Sequence, residues 1–388
     1  MSRWQPGRSR WLEGHHGAPT PPPLMFLALA YHTAVNYSSL IFFFYIPRPL
    51  SNPSPSPPLA CTPLSLSLSL SLSLSLSLSL LSLKVSVMAP AFVHRDRNTV
   101  CVMDASCRLG ISLVRRLLQR GCTVHAASYH HGESSGVLKR MCSENRRLKL
   151  FQADPFDYQT IVDAVKGCSG LFYTFEPPQD ESYDELMVEV EVRAAHNVVE
   201  ACAQVDTIER VVFTSSVTAV VWKENRKLAA DVDEREWSEP NFCRKFKLWH
   251  ALAKTLAEKT AWALAMDRGV DMVSVNAGLL TGPEISVSNP YLKGAPQMYE
   301  DGVLVTVDID FLVDAHIAVY EGPSAYGRYL CFSNVVCRPP DAVKLAQLVS
   351  PDAPSSPQSN ELKVIAQRIQ NKKLSKLMVD FDVRIQVE

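Results

Sequence analysis

The chain has 388 residues, a net charge of −1, 20% charged residues and 47% hydrophobic residues. That balance offers no basic field for nucleic acid or for an anionic membrane surface, so neither is expected as a partner. Ten cysteines without a C-x-x-C pair lie mostly in apolar runs, as Cys101, Cys202 and Cys331 do. They predict reduced, buried thiols in a cytoplasmic protein, with no disulfide framework and no metal site.

Composition changes near Met88. Before it lie a Pro/Ser tract from Arg48 to Pro63 and a Ser-Leu alternation from Ser65 to Leu83. A CT dinucleotide repeat encodes that alternation, CTC giving Leu and TCT giving Ser. Residues 1–92 are therefore expected to be a low-complexity extension outside the fold, with Met88 the true start. Mass spectra of the native protein containing peptides from upstream of Met88 would overturn this. Leu24 to Ile46 is apolar enough to suggest a membrane span, but His32, Asn36, Ser38 and Ser39 interrupt it. A targeting peptide is the other alternative, although the apolar run lies far from a basic start and no cleavage pattern follows.

From Thr99 the apolar pattern alternates between strand and helix periods. Strands are predicted at Thr99–Met103, Thr123–Ala127, Leu148–Ala153, Leu171–Tyr173, Arg210–Thr214 and Met272–Ala277. Helical periods fill the gaps at Leu109–Gln119, Tyr158–Val165, Glu185–Gln204 and Phe246–Arg268. Such alternation argues an α/β fold, a doubly wound parallel sheet with helices on both faces and the ligand at the strands' carboxyl ends. Beyond Ala277 the pattern loosens. Strands at Val303–Val307 and Arg328–Phe332 and helices at Asp310–Tyr320 and Asp341–Leu348 predict a smaller lobe over the substrate.

Several motifs in order carry a resemblance. They are Val100-Cys-Val, Gly121-Cys-Thr-Val, Ala153-Asp154, Val211-Val-Phe-Thr-Ser-Ser216, Lys254-Thr-Leu-Ala-Glu258, Gly282-Pro283, Asp314-Ala-His316 and Gly327-Arg-Tyr-Leu-Cys331. From Thr99 to about Ser350 the chain resembles plant cinnamoyl-CoA reductases and dihydroflavonol reductases, which are extended short-chain dehydrogenases/reductases, in a divergent cinnamoyl-CoA-reductase-like subgroup. The resemblance implies a Rossmann-like domain over residues 93–388, with 93–277 mainly dinucleotide-binding and 278–388 mainly the substrate lobe. It also implies NADP as cofactor and a carbonyl or thioester of phenylpropanoid type as the small-molecule substrate.

Carried over residue by residue, the resemblance meets several departures. The family's Gly-x-x-Gly-x-x-Gly phosphate turn reads Asp104, Cys107 and Gly110, so only the third glycine remains. A carboxylate about 4 Å from a phosphate charge is opposed by about 4 kcal/mol at an effective dielectric of about 20. Arg108 offers a compensating charge if it faces the phosphates; alternatively Asp104 caps the following helix. The cofactor-binding set is then Asp104, Cys107, Arg108, Leu109, Gly110, His125, Tyr129, Asp154 and Lys254. His125 and Tyr129, with His130 and His131, stand at the end of the second strand, where relatives carry an arginine for the 2′-phosphate at the His125 or Tyr129 position. Phe175 and Glu176 replace small residues beside the cofactor.

The family's catalytic set is Ser, Tyr and Lys, the phenol giving its proton to the substrate carbonyl. Here Ser216 and Lys254 stand in place, and His250 occupies the tyrosine position. Two readings stay open: His250 substitutes as the acid, or the chain is a catalytically silent module that binds a nucleotide, a metabolite or a protein partner.

Overall fold

The structure, a computed structural model, describes residues 99–129, 133–175, 183–224, 231–283, 285–350, 352 and 364–387. Seven parallel strands form the main sheet: β1 (Thr99–Met103), β2 (Thr123–Ser128), β3 (Leu148–Gln152), β4 (Gly170–Tyr173), β5 (Arg210–Ser216), β6 (Met272–Ala277) and β9 (Gly327–Cys331). Their order is β3-β2-β1-β4-β5-β6-β9. The order reverses between β1 and β4, and the crevice outside those carboxyl ends is where this architecture takes a ligand.

Both faces of the sheet are covered, which explains why β1 is apolar throughout. Val100 and Val102 pack with Leu113 and Leu117 of α1 (Arg108–Gln119) and with Leu312 and Ile317 of α8 (Ile309–Glu321). Cys101 and Met103 point the other way, toward α3 (Tyr158–Val165), α4 (Glu185–Ala203) and α6 (Trp249–Arg268). Strands buried on two faces need no polar alternation. One further helix, α2 (Glu133–Glu144), follows β2, and the short α5 (Pro240–Lys245) precedes α6.

A small second sheet, β10-β8-β7, is built from β7 (Leu279–Leu280), β8 (Val305–Val307) and β10 (Asn334–Val335). The short α7 (Ala295–Glu300) precedes β8, and α9 (Pro339–Val349) and α10 (Lys372–Val387) complete the chain order. The C-terminal third shares the main sheet with the strands before it. The Arg328 strand joins the main sheet beside β6 in parallel register, Val275 facing Tyr329. Helix α8 likewise lies on that sheet, with His316 Nε2 2.8 Å from the Thr214 hydroxyl of β5.

Candidate active site

The turn after β1 is tied across the switch point. The Thr174 hydroxyl donates to the Asp104 carbonyl at 2.9 Å, and the Asp104 amide donates to the Thr174 carbonyl at 3.3 Å. Asp104 does not cap α1: its carboxylate accepts from the Ser106 amide at 2.9 Å and also from the Ser106 hydroxyl. The cap is Cys107, whose Sγ accepts from the Gly110 amide at 3.2 Å. One of the helix's free amides is thus already engaged by sulfur. Gly110 is required by space, because a Cβ there would collide with the Asp104 carbonyl. That close helix packing is the role of the third glycine in the phosphate turn. Leu109 turns its side chain into the core, 3% exposed, and leaves only its backbone to the turn.

Arg108 crosses the crevice. Its Nη2 donates to the Thr281 carbonyl at 2.7 Å, and its guanidinium lies directly over Gly282, where a side chain would displace it. The loop after β1 and the segment after β7 are therefore bridged by a cation.

The second-strand residues separate. His125 is not at the strand's carboxyl end. Its ring is buried in the layer under α3, with Nδ1 2.8 Å from the Ala164 carbonyl and the Phe151 ring centroid 4.6 Å away. Burial lowers its pKa, and Nε2 has no hydrogen-bond partner among the described residues, so the ring sits in the packed layer and away from the strand ends. The reason is register: His125 pairs with Cys101 in mid-strand, two residues before the end of β1. Tyr129 follows the end of β2. Its phenol is pushed up to about 12 by burial and by the charge of Asp154, and the pairing of Ser128 with Gln152 sets both residues just past the strand ends. Asp154 also holds its own turn, accepting from the Phe156 amide at 2.8 Å. His130, His131 and Glu176 lie outside the described residues.

The family's catalytic positions converge. Ser216 ends β5, and its Oγ accepts from the Thr218 amide at 3.1 Å and from the Thr218 hydroxyl at 2.9 Å. The same Thr218 oxygen lies 3.1 Å from Nδ1 of His250, in the first turn of α6. Four residues on, one turn along the same face, Lys254 reaches the Phe175 carbonyl at 3.2 Å and Glu191 Oε2 at 3.1 Å. Glu191 also accepts from the Tyr183 phenol. The Tyr183 and Tyr291 rings stand 5.5 and 6.2 Å from the imidazole. Burial, then the neighbouring Lys254 ammonium, pushes the His250 pKa down to about 3, so the ring is neutral.

Three of the hydrogen-bonded participants were not read from the sequence. Glu191 left a trace: it lies three residues after Val188 and four after Met187, on the buried face of α4, where an unpaired acid would not be tolerated. Thr218 and Tyr183 left none, since each is a common residue whose role depends on where the chain turns.

The profile of the 3-beta hydroxysteroid dehydrogenase/isomerase family matches residues 101–275. Cinnamoyl-CoA reductase 1 of Petunia hybrida is 35% identical over 294 residues, covering 73% of this chain and 87% of the relative. Tetraketide alpha-pyrone reductase 1 of Arabidopsis thaliana is 31% identical over 300 residues, covering 74% and 88%. Among solved structures, vestitone reductase from alfalfa superposes with a TM-score of 0.57 at 24% identity, over 72% of this chain and 91% of that one. A yeast methylglyoxal/isovaleraldehyde reductase complexed with NADPH gives 0.58 at 17% identity, over 72% and 93%. These two show the fold. Identity of 35% over most of a reductase's length, on a parallel sheet of this kind, places the chain in the cinnamoyl-CoA reductase family of extended short-chain dehydrogenases/reductases.

Proposed function

We propose that this protein is an NADP(H)-linked oxidoreductase acting in the cytoplasm at a carbonyl or thioester carbon of a phenylpropanoid-type compound, with Ser216, His250 and Lys254 around the reacting group. The observation that carries the reading is the Ser216–Thr218–His250 chain one helical turn from Lys254. The residue in the family's tyrosine position is hydrogen-bonded to the serine side of the site, where a randomly lost phenol would leave an unlinked side chain. The names of the relatives, cinnamoyl-CoA reductase and tetraketide alpha-pyrone reductase, supply the substrate class.

The residues at the crevice fit a dinucleotide on altered terms. Gly110 keeps the close packing, Tyr129 and Asp154 line the adenosine end, and the Arg108 guanidinium offers the positive charge that glycine-turn amides supply elsewhere. When bound, the nicotinamide carries the hydride. The chain's own groups orient the substrate oxygen. Both lone pairs of Ser216 Oγ are taken, so its hydroxyl proton is the part left to donate. Lys254, holding Glu191 and the Phe175 carbonyl, keeps one further N–H.

A second reading, a catalytically silent nucleotide-, metabolite- or protein-binding module, is favoured by one feature. With His250 neutral and Lys254 neutralised by Glu191, the site holds no strong acid. Calorimetric titration of NADPH and then NADH into the protein, followed by assays of phenylpropanoid aldehydes and thioesters, separates the two. Micromolar NADPH binding with turnover is expected. His250→Tyr is expected to raise carbonyl reduction about a hundredfold, the usual worth of a positioned acid. No NADPH binding at millimolar concentration would establish the silent module instead.

A further inference from the structure

We infer that the group facing His250 in the bound ligand is a hydroxyl, so that the site prefers an alcohol to the corresponding aldehyde. The inference deepens the proposed function and rests on it. It follows from counting protons along one hydrogen-bond chain. Thr218 has a single hydroxyl proton, which goes to Ser216 Oγ at 2.9 Å. The 3.1 Å contact between the Thr218 oxygen and His250 Nδ1 then needs a proton from the ring. Nδ1 is protonated, and in a neutral imidazole Nε2 is consequently a bare acceptor.

Nε2 makes no hydrogen bond among the described residues, and His250 keeps partial exposure beside Tyr183 and Tyr291. Ser216, with its oxygen accepting twice, presents a donor. Donor and acceptor are linked to the same Thr218 oxygen, so they serve one end of one ligand. A hydroxyl satisfies both: its oxygen accepts from Ser216 and its proton goes to Nε2. A carbonyl satisfies only Ser216 and sets its lone pairs against those of the imidazole. A site with a fixed hydrogen-bonding pattern rejects the partner that leaves one of its groups unpaired. The tyrosine that relatives carry here offers the opposite polarity, a proton for a carbonyl. Thr218 is in this account a positioning residue, since it selects the tautomer and touches no ligand.

The test uses cinnamyl alcohol and cinnamaldehyde as a matched pair, titrated calorimetrically into the full chain with and without NADPH. The alcohol is expected to bind at least about tenfold more tightly. His250→Tyr should erase or reverse that ratio, and Thr218→Val should reduce it. Nitrogen NMR of imidazole-labelled protein gives a readout that needs no ligand: Nδ1 protonated and Nε2 unprotonated in the wild type, with the tautomers mixed in Thr218→Val. Equal affinity, tighter aldehyde binding, an Nε2–H tautomer in the wild type, or binding of neither compound would overturn the inference. NADPH binding is read in a separate titration, so a failed alcohol preference leaves the oxidoreductase reading standing, and a failed cofactor titration removes that reading on its own.

Discussion

At residue scale the site is governed by two buried charges that cancel. Lys254 and Glu191 have side chains only 13% and 3% exposed, and their atoms meet at 3.1 Å. Taking such a pair out of water is costly, so neither partner is tolerated alone. Glu191→Ala is expected to cost about 3–5 kcal/mol in urea unfolding, because it strands the ammonium beside the Phe175 carbonyl. Adding Lys254→Met should recover much of that loss, and a double-mutant cycle measures the coupling. His316 contributes a pH dependence of definite sign. Burial pushes its pKa down to about 4, against a partly compensating hydrogen bond to the Leu312 carbonyl, so the unfolded chain binds the proton more readily. Its stability contribution is whole above about pH 6.5 and falls as pH drops toward 4. At about pH 5 the loss is roughly 2 kcal/mol. Urea unfolding at about pH 7.5 and pH 5 should therefore show a shallower difference in His316→Gln than in the wild type.

At the scale of elements, one buried carboxylate ties α6 to three strands of the sheet. Glu258, on the same helix as Lys254, accepts from Arg328 Nε at 2.7 Å, from the Ser215 hydroxyl at 2.7 Å and from Asn276 at 2.8 Å. Burial alone would raise its pKa, but Arg328, Ser215 and Asn276 together hold it below the ordinary carboxylate value. The Arg328 guanidinium in turn lies 3.5 Å from the Trp237 ring centroid. One residue thus joins α6 to β5, β6 and β9, and fixes the serine end of the site relative to the lysine end. Glu258→Ala should lower unfolding free energy by about 3–5 kcal/mol, whereas Lys245→Ala, whose pair with Glu224 is exposed at 3.4 Å, should change it by less than about 0.5 kcal/mol. The same network explains what the sequence did and did not reveal. Alternating strand and helix periods made the order of the N-terminal half of the fold legible, and the four-residue step from position 250 to 254 placed the candidate site on one helix face. The strand at Arg328 was legible as a strand but not as a member of the main sheet, because the apolar run Tyr329–Cys331 carries no mark of its neighbour. Its partner is specified by Glu258, seventy residues away. Helix α2 escaped for a local reason: Gly136 interrupts it, and few large apolar residues define a face. His125 was misplaced because a residue type near a strand end does not reveal which side of the pleat it takes.

At the scale of the molecule, the last helix closes the core that the first strand begins. In the folded chain α10 sets Leu374, Leu377, Met378 and Phe381 into the cluster that contains Val100, Val102 and Leu117. Arg120, at the end of α1, lies 5.4 Å from the Phe381 ring centroid and pairs with Glu321 of α8 at 2.8 Å. Lys373 anchors the start of the helix, its ammonium 4.1 Å from the Tyr329 ring centroid and 2.9 Å from the Arg328 carbonyl. Strand β9 thus binds Glu258 through the Arg328 side chain and the C-terminal helix through its backbone. Removal of residues 372–388 would expose apolar surface on the α1–α8 side, each large side chain contributing about 1.5–3 kcal/mol when fully buried. The helix's own ordering entropy offsets part of that sum. The expected result is a lower thermal midpoint and a lower urea midpoint with a reduced slope, since less surface remains to be exposed on unfolding. Phe381→Ala alone should cost about 3–5 kcal/mol with the slope unchanged, because it removes one buried ring and leaves the helix in place. The candidate site lies at the carboxyl ends of the strands, so the Phe381 variant should keep the wild-type affinity for NADPH at temperatures where it remains folded. A loss of that affinity would mean that the C-terminal helix shapes the nucleotide crevice as well as the core.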